Sequence, residues 1–185
     1  MSARNSAQRW GWVAQLFHWG MFLLIVGAWF AVEQAGEMPK GSPERGEWMG
    51  LHKAIGLTVF FLLWARLGWR LSGPVPDPVI TNVWQHRLAV VVHWGLYLVM
   101  LMMPLSGLMM SQFGGRDVSW FGLFEVPVFL GENKELAAQI KELHTDVWWP
   151  LLLVLVALHV VGALWHQVIV KDGTMNRIDI AGIGL

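Results

Sequence analysis

The chain has 185 residues, of which 55% are hydrophobic and only 14% are charged, whereas a soluble domain typically carries about 25% charged residues. Its formal charge is zero and it has no cysteine, which excludes disulfides, zinc–thiolate sites, iron–sulfur clusters and C-x-x-C-H haem attachment. The balanced charge also predicts no nucleic-acid partner. The 13 tryptophans suit the interfacial belts of a bilayer, so we predict an all-α membrane protein with one domain over residues 1–185.

Four apolar segments are each close to the ~20 residues with which a helix crosses a bilayer. They cover roughly residues 12–32, 51–71, 88–110 and 146–170, which predicts a four-transmembrane-helix bundle. The first segment is too long for a signal-peptide core and no clear cleavage site follows it, so we interpret it as a retained helix. Four spans put both termini on one side. Seven Lys and Arg residues there against six opposite only slightly favour the cytoplasmic side, which is the orientation we predict.

The three connections differ in composition. Residues 33–50 carry four glutamates among Gly and Pro and are predicted to form an exposed loop, and residues 72–82 read as a proline-rich, extended connector. Residues 111–143 form the longest connection. Its end is amphipathic and is predicted to extend the fourth helix outward from a cap at Glu132 or Asn133. The Trp120–Phe124 piece is predicted to lie at the membrane interface as a lid.

The seven histidines are the main metal-capable side chains, and their depth in the spans distinguishes them. His52 and His144 lie at the outer ends of the second and fourth spans. His18 and His159 each lie fifteen residues below the outer end of their own spans, ~22 Å deeper at ~1.5 Å per residue. An ionisable side chain within an apolar span is a functional-site candidate by default.

Two pairs of histidines at equal depth on facing helices suit axial ligation of a porphyrin iron from both sides. Gly56 lies one turn from His52 and Gly162 lies one turn from His159, where a missing side chain would let a flat macrocycle approach the helix. The alternative for each glycine is close helix packing alone. The alternative for each single histidine is a hydrogen bond to a neighbouring carbonyl.

Three further polar residues lie near the inner ends of the spans. His93 and His166 are deeper than both pairs. Arg66 has two interpretations that the sequence leaves open: an interfacial anchor whose charge reaches the headgroups, or a partner for haem propionates.

Seven segments together carry a family pattern: Arg9–Trp19, Gly50–Gly56, Trp64–Arg70, His93–Gly107, Glu142–His144, His159–His166 and Lys171–Asp172. With their order and spacing, they resemble the bacterial cytochrome b561 family over nearly the whole chain. The resemblance implies a multi-pass protein of the bacterial inner membrane with two non-covalent haem b groups. The positions that match the family's axial ligands are His18, His52, His144 and His159.

The resemblance further implies electron exchange with ubiquinone, and some members pass electrons from superoxide to the quinone. His166 matches a family position near the quinone, where a histidine can deliver protons during reduction. His93 is a candidate to assist His166 or to bond a propionate. The cations that could attract an anionic donor locally are Lys53, Arg116, Lys134 and Lys141, although acids surround them on the outer side.

Three functions remain open at this point. The first is a transmembrane oxidoreductase that passes electrons from a periplasmic-side donor, with superoxide as one candidate, to ubiquinone. The second is a haem b anchor, which would serve as the electron-transfer subunit of a separate dehydrogenase or hydrogenase. The third is a histidine-based metal carrier. It is less favoured, because no carboxylate lies well inside a span beside the histidines.

Overall fold

The structure, a computed structural model, describes residues 2–79 and 82–178. Residues 80–81 of the predicted connector, and residues 1 and 179–185 of the predicted domain, lie outside the described residues. Three long helices come first: α1 (Trp12–Glu37), α2 (Pro43–Leu71) and α3 (Val83–Phe113).

The fourth span, Lys134–Val170, is one continuous helical rod with two changes of pitch. It consists of α4 (Lys134–Glu142), a π-helical turn (Leu143–Trp148), α5 (Trp149–Trp165) and a second π-helical turn (His166–Val170). A short 3₁₀ turn, Met175–Arg177, follows. All four rods are long and apolar enough to cross a membrane, so the predicted all-α, four-transmembrane-helix architecture is confirmed. The cytoplasmic position of the termini stays a prediction.

The helices continue beyond the apolar segments, and the predicted exposed loop over residues 33–50 is wrong for most of its length. α2 already begins at Pro43, because the Ser42 side chain caps it by accepting the backbone N–H of Arg45 and proline suits the first helical position. The Arg45 guanidinium donates to the carbonyl of Ala35 and so satisfies the end of α1. The hydropathy of the sequence indicates where the chain crosses the bilayer, but the capping contacts determine where the helices end.

Apolar side chains point outward on every span and leave a small core between the helices. Leu23, Phe61, Leu98 and Val161 are large apolar residues that the chain itself does not cover, as expected for faces that contact lipid. The buried core is the cluster of Met21, Ile55, Val59, Leu63 and Met100, which joins α1, α2 and α3 near mid-span.

A two-stranded antiparallel hairpin lies between α3 and α4. Its strands are β1 (Val118–Trp120) and β2 (Phe124–Val126), so the predicted Trp120–Phe124 lid is the tip of this hairpin. β1 packs against α2. The predicted cap at Asn133 is confirmed, since its side chain accepts the backbone N–H of Leu136 at 3.0 Å.

Three segments are tied together at the opposite end of the bundle. The backbone N–H of Asp77 donates to the carbonyl of Ala7 at 2.8 Å, and the N–H of Trp10 donates to the carbonyl of Arg177 at 3.1 Å. The segment before α1, the connector after α2 and the tail after the fourth span therefore cover the same end of the four helices.

Candidate functional site: two histidine pairs and a histidine–aspartate pair

The outer histidine pair joins α2 to the first π-helical turn. The ring centroids of His52 and His144 are 6.3 Å apart. One iron held axially between two imidazoles sets this separation to about 6 Å, since each metal–nitrogen bond is about 2 Å and the nitrogen lies about 1 Å from its ring centre. The spacing therefore fits the predicted role of this pair.

Hydrogen bonds fix the proton position on both rings of the outer pair. Nδ1 of His52 lies 2.8 Å from the carbonyl oxygen of Ala28, so it must carry the proton. The Ser106 hydroxyl lies 2.9 Å from both the carbonyl oxygen of Met103 and Nδ1 of His144, and when it donates to the carbonyl its oxygen can accept the Nδ1 proton. Each ring is then left with an unprotonated Nε2, which is the form that ligates a metal, and the Nδ1 partner orients it.

His144 owes its placement to the π-helical turn. Its side chain is only 8% exposed, because it lies in the π-helical turn and points into the bundle. A π turn adds one residue to a helical turn and redirects the side chains around it, and such turns are frequent at functional sites.

A cavity of about 420 Å³ opens between the helices at the level of this pair, and both histidines line it. A Cβ added at Gly56 would meet nothing within 4 Å, so this lining position leaves open space. A Cβ at Gly107 would lie 3.3 Å from Cε1 of His144, so a side chain there would crowd the ring. An apolar slot with glycines beside paired imidazoles fits a flat macrocycle.

Cations line the same cavity near its outer end. Lys53 and Lys141 both contribute to the lining, as does Glu33. The ammonium groups of the two lysines could pair with the propionates of a haem or attract an anionic donor.

The inner pair is built from α1 and α5. The ring centroids of His18 and His159 are 6.0 Å apart, which again fits two imidazoles that share an iron. The ring of His93 lies closer to His159, at 5.3 Å, which is shorter than the spacing that an intervening iron requires. Distance therefore agrees with depth in pairing His159 with His18. A Cβ at Gly162 would also meet nothing within 4 Å, so that predicted position is open as well.

Arg66 lies inside the bundle beside the inner pair. Its guanidinium stacks over the ring of Tyr97, the only tyrosine of the chain, at 5.5 Å, and Arg70 covers the same ring at 5.9 Å. Nη2 of Arg66 lies 3.4 Å from Nδ1 of His18. These contacts place Arg66 beside the side chains of the inner pair, and its role toward haem propionates stays a prediction.

His166 lies apart from both pairs and makes a close ion-pair contact with Asp172. Nδ1 of His166 is 2.6 Å from Oδ2 of Asp172, and both side chains are largely covered. Lys171 adopts the left-handed conformation (φ 56°), which turns the chain back after the second π-helical turn and brings Asp172 to the histidine.

Asp172 is held in its ionised form by its neighbours. Its other oxygen accepts the Thr174 hydroxyl at 2.6 Å and the Thr174 backbone N–H at 3.0 Å. Burial alone would raise the pKa of Asp172, but the hydrogen bonds from Thr174 and His166 outweigh it and hold that pKa below its ordinary value. A carboxylate at Nδ1 leaves Nε2 of His166 as the nitrogen that can exchange a proton with a bound molecule.

The sequence interpretation assigned no role to Ser106, Gly107 or Asp172. All three fall within or beside the segments that carry the family pattern, but one sequence does not reveal which side chains face the histidines. Among the described residues (2–79 and 82–178) no group of three or more His, Asp or Glu side chains could hold a metal ion. The metal-carrier interpretation therefore gains no support from them.

Comparison with known proteins adds independent findings. A family model described as prokaryotic cytochrome b561 matches residues 9–178. Cytochrome b561 homolog 1 of Escherichia coli (strain K12) is 34% identical over 165 residues, which cover 87% of this chain and 91% of the relative. Cytochrome b561 homolog 2 of the same organism is 33% identical over 187 residues, 96% of this chain and 95% of the relative. Probable superoxide oxidase CybB of Yersinia pestis is 30% identical over 173 residues, 87% and 90% of the two chains.

Proposed function

Because this chain belongs to the prokaryotic cytochrome b561 family, we propose that it carries two haem b groups and passes electrons from an outer donor to ubiquinone. The family makes it a multi-pass bacterial membrane protein that transfers electrons through haem b. We propose, in addition, that the chain binds two haems, takes electrons from an outer donor, reduces ubiquinone and lies in the inner membrane.

The spacing of the two histidine pairs is the observation that carries the proposal. Centroid separations of 6.3 Å and 6.0 Å occur at two depths, on residues that are fifteen positions apart in the fourth span. We propose His52 and His144 as axial ligands of an outer haem, and His18 and His159 as those of an inner haem. Haem iron bound at these levels supplies reversible one-electron transfer.

The donor side of the proposal rests on a relative and on local charge. One relative is named a probable superoxide oxidase, which makes superoxide a candidate donor. Superoxide is a small anion, and Lys53 and Lys141 line the cavity beside the outer pair. Glu33 lines the same cavity, and its carboxylate reduces this attraction.

The acceptor side rests on the histidine–aspartate pair at the far end of the fourth span. Reduction of one ubiquinone to ubiquinol takes two electrons and two protons, so two superoxide anions would be converted to two molecules of oxygen for each ubiquinol. His166 would hand a proton from Nε2 to the quinone, while Asp172 balances the imidazolium charge. His93, beside the inner pair, could assist that transfer or bond a propionate.

Purified chain in nanodiscs, supplied with enzymatically generated superoxide and a soluble ubiquinone, tests this function. Reduction of the quinone by superoxide, beyond the uncatalysed rate, is expected. A haem-loaded chain that catalyses no such reduction would refute the donor–acceptor proposal. Reduction that instead requires an added dehydrogenase or hydrogenase subunit would support the anchor alternative.

Ser106→Ala gives a prediction for the outer haem. Loss of the hydroxyl removes one hydrogen-bond partner of Nδ1 of His144, so haem affinity at the outer pair should fall about 10- to 100-fold. The measurement is haem retention during dilution or competition with apomyoglobin. Ser111→Ala is the matched control: Ser111 is also buried in α3, and its hydroxyl has no hydrogen-bond partner within the described part of the chain. Equal haem loss from both variants would contradict the assigned role of Ser106.

A further inference from the structure

The hairpin of β1 and β2 exposes a concentration of large apolar side chains at its tip. Leu123 is 75% exposed, Phe121 is 50% exposed and Phe124 is 45% exposed. Phe129, just beyond the hairpin, is also open. Contiguous apolar groups of this kind on a surface indicate contact with a membrane or a partner.

The turn at the tip places Phe121 in a left-handed backbone conformation, which large side chains rarely adopt. The backbone N–H of Leu123 donates to the carbonyl of Trp120 at 3.0 Å, and both residues between them have positive φ: 50° at Phe121 and 73° at Gly122. Hairpin turns with two such positions normally take Asn, Asp or Gly there. A phenylalanine in the left-handed region is strained, and its ring lies beside the Trp120 indole, with centroids 5.6 Å apart, while half of the side chain stays exposed.

A hydrogen bond fixes the depth of the hairpin. The indole N–H of Trp120 donates to the Thr58 hydroxyl at 3.0 Å, and that hydroxyl in turn donates to the carbonyl of Ala54. Thr58 lies seven residues inside the apolar segment 51–71, about 10 Å along the helix from its outer end. The Trp120 indole therefore reaches below the outer boundary of the apolar part of α2.

The hairpin is amphipathic and rigidly attached. Side chains alternate across its strands, so the Ser119 and Glu125 pair lies on the face opposite Trp120. The following loop is fixed to α3 by buried Gln112, whose amide donates to the carbonyl of Pro127 and accepts the N–H of Phe129. The apolar tip is thus held in one position relative to α2.

From this geometry we propose that the hairpin tip is inserted into the outer leaflet of the bilayer, with Phe121 and Leu123 among the lipid acyl chains. The depth of the Trp120–Thr58 contact selects lipid over a soluble protein, because a soluble partner would have to enter the apolar layer to reach the tip. The polar Ser119–Glu125 face is left toward the headgroups and water. Val118 of the hairpin also lines the outer cavity, so the hairpin forms part of the cavity wall.

The absence of cysteine allows a direct test on the whole chain in nanodiscs. Leu123→Cys carries an environment-sensitive fluorophore, and quenching by spin-labelled lipids is compared with quenching by iodide. Lys134→Cys is the water-exposed control on the same side, since its side chain is 85% exposed, and Leu98→Cys is the lipid-facing control on α3. We expect the Leu123 label to be quenched severalfold more by lipid than the Lys134 label, and severalfold less by iodide.

A label at Leu123 that iodide quenches as strongly as the label at Lys134 would overturn the proposal. A label that neither iodide nor lipid reaches would also overturn it, because that result requires a protein to cover the tip. Leu123 packs little against the chain, so its replacement should not disturb folding, which circular dichroism verifies. A second variant, Phe121→Asn in the labelled Leu123→Cys chain, suits the left-handed turn but lacks the ring. It should lower lipid quenching, and unchanged quenching would contradict the role given to the aromatic side chain.

Discussion

Replacement of His144 with alanine should remove about half of the bound haem, and replacement of His159 should remove the other half. His144 lies 6.3 Å from His52, and His159 lies 6.0 Å from His18, at separate depths, so each change breaks only one of the two proposed ligand pairs. An imidazole lost from one axial position leaves the iron at that level with a single protein ligand. Haem content and the reduced-minus-oxidised spectrum are the measurements.

The pairing itself is tested by double replacement. His52→Ala combined with His144→Ala should lose no more haem than His144→Ala alone, whereas His144→Ala combined with His159→Ala should lose nearly all of it. His86→Ala is the control, because it removes a histidine in the first turn of α3 that belongs to neither pair. Loss of all haem on combining His52→Ala with His144→Ala, with His86→Ala unaffected, would refute the pairing by depth.

His166→Ala should retain full haem content yet slow quinone reduction by about 10²-fold, the lower end of what a positioned proton donor contributes. His166 lies apart from both pairs, and its Nδ1 is occupied by Asp172 at 2.6 Å. The reaction with the outer donor, followed as haem reduction without quinone, should be unchanged. Unchanged haem content and haem reduction, together with slowed quinone reduction, would separate this role from a general structural defect.

Asp172→Asn separates positioning from chemistry at the same site. The amide keeps the shape of the side chain but removes the carboxylate charge beside His166, so a smaller loss of quinone reduction than in His166→Ala is expected. Asp77→Asn is the matched control, an exposed acid of the connector. If Asp172→Asn and Asp77→Asn behave alike, the carboxylate has no positioning role.

Asp172 also gives a pH dependence of stability. Because hydrogen bonds hold its folded-state pKa below the ordinary value, its contribution is complete above the unfolded pKa, about 3.9, and is lost as the pH falls through the lowered folded value. The difference in thermal stability between wild type and Asp172→Asn should shrink below about pH 4, relative to its value at about pH 5. A difference that does not shrink between about pH 4 and lower pH would contradict the assignment.

The depth of the histidines could be predicted from the sequence because a helix rises by a constant ~1.5 Å per residue, whatever its neighbours. His144 and His159, and likewise His18, could therefore be assigned to levels without a structure. The residues that contact these histidines from other helices could not be predicted, because nothing in the sequence of α3 distinguishes Ser106 from other small residues on that helix. The contact of Ser106 with His144 depends on how α3 and the fourth span are rotated against each other.

The π-helical turns and the helix ends were beyond the sequence for different reasons. A π turn at Leu143–Trp148 changes the angular position of every residue after it, so a constant ~100° per residue cannot orient His144 against His159 accurately. The end of α1 and the start of α2 were misplaced because apolar content follows the bilayer. The Asp172 contact depends on a left-handed residue, Lys171, which is not glycine and so carries no conformational signal.

The measurement that most directly tests the central claim is the haem b content of the purified wild-type chain, by the pyridine haemochrome method against quantitative amino-acid analysis, together with a potentiometric titration. Two haem b per chain, titrating as two centres, is the predicted result, because two histidine pairs have the spacing for axial ligation. One haem per chain in a fully loaded preparation, or a single centre that survives in both His144→Ala and His159→Ala, would contradict the account.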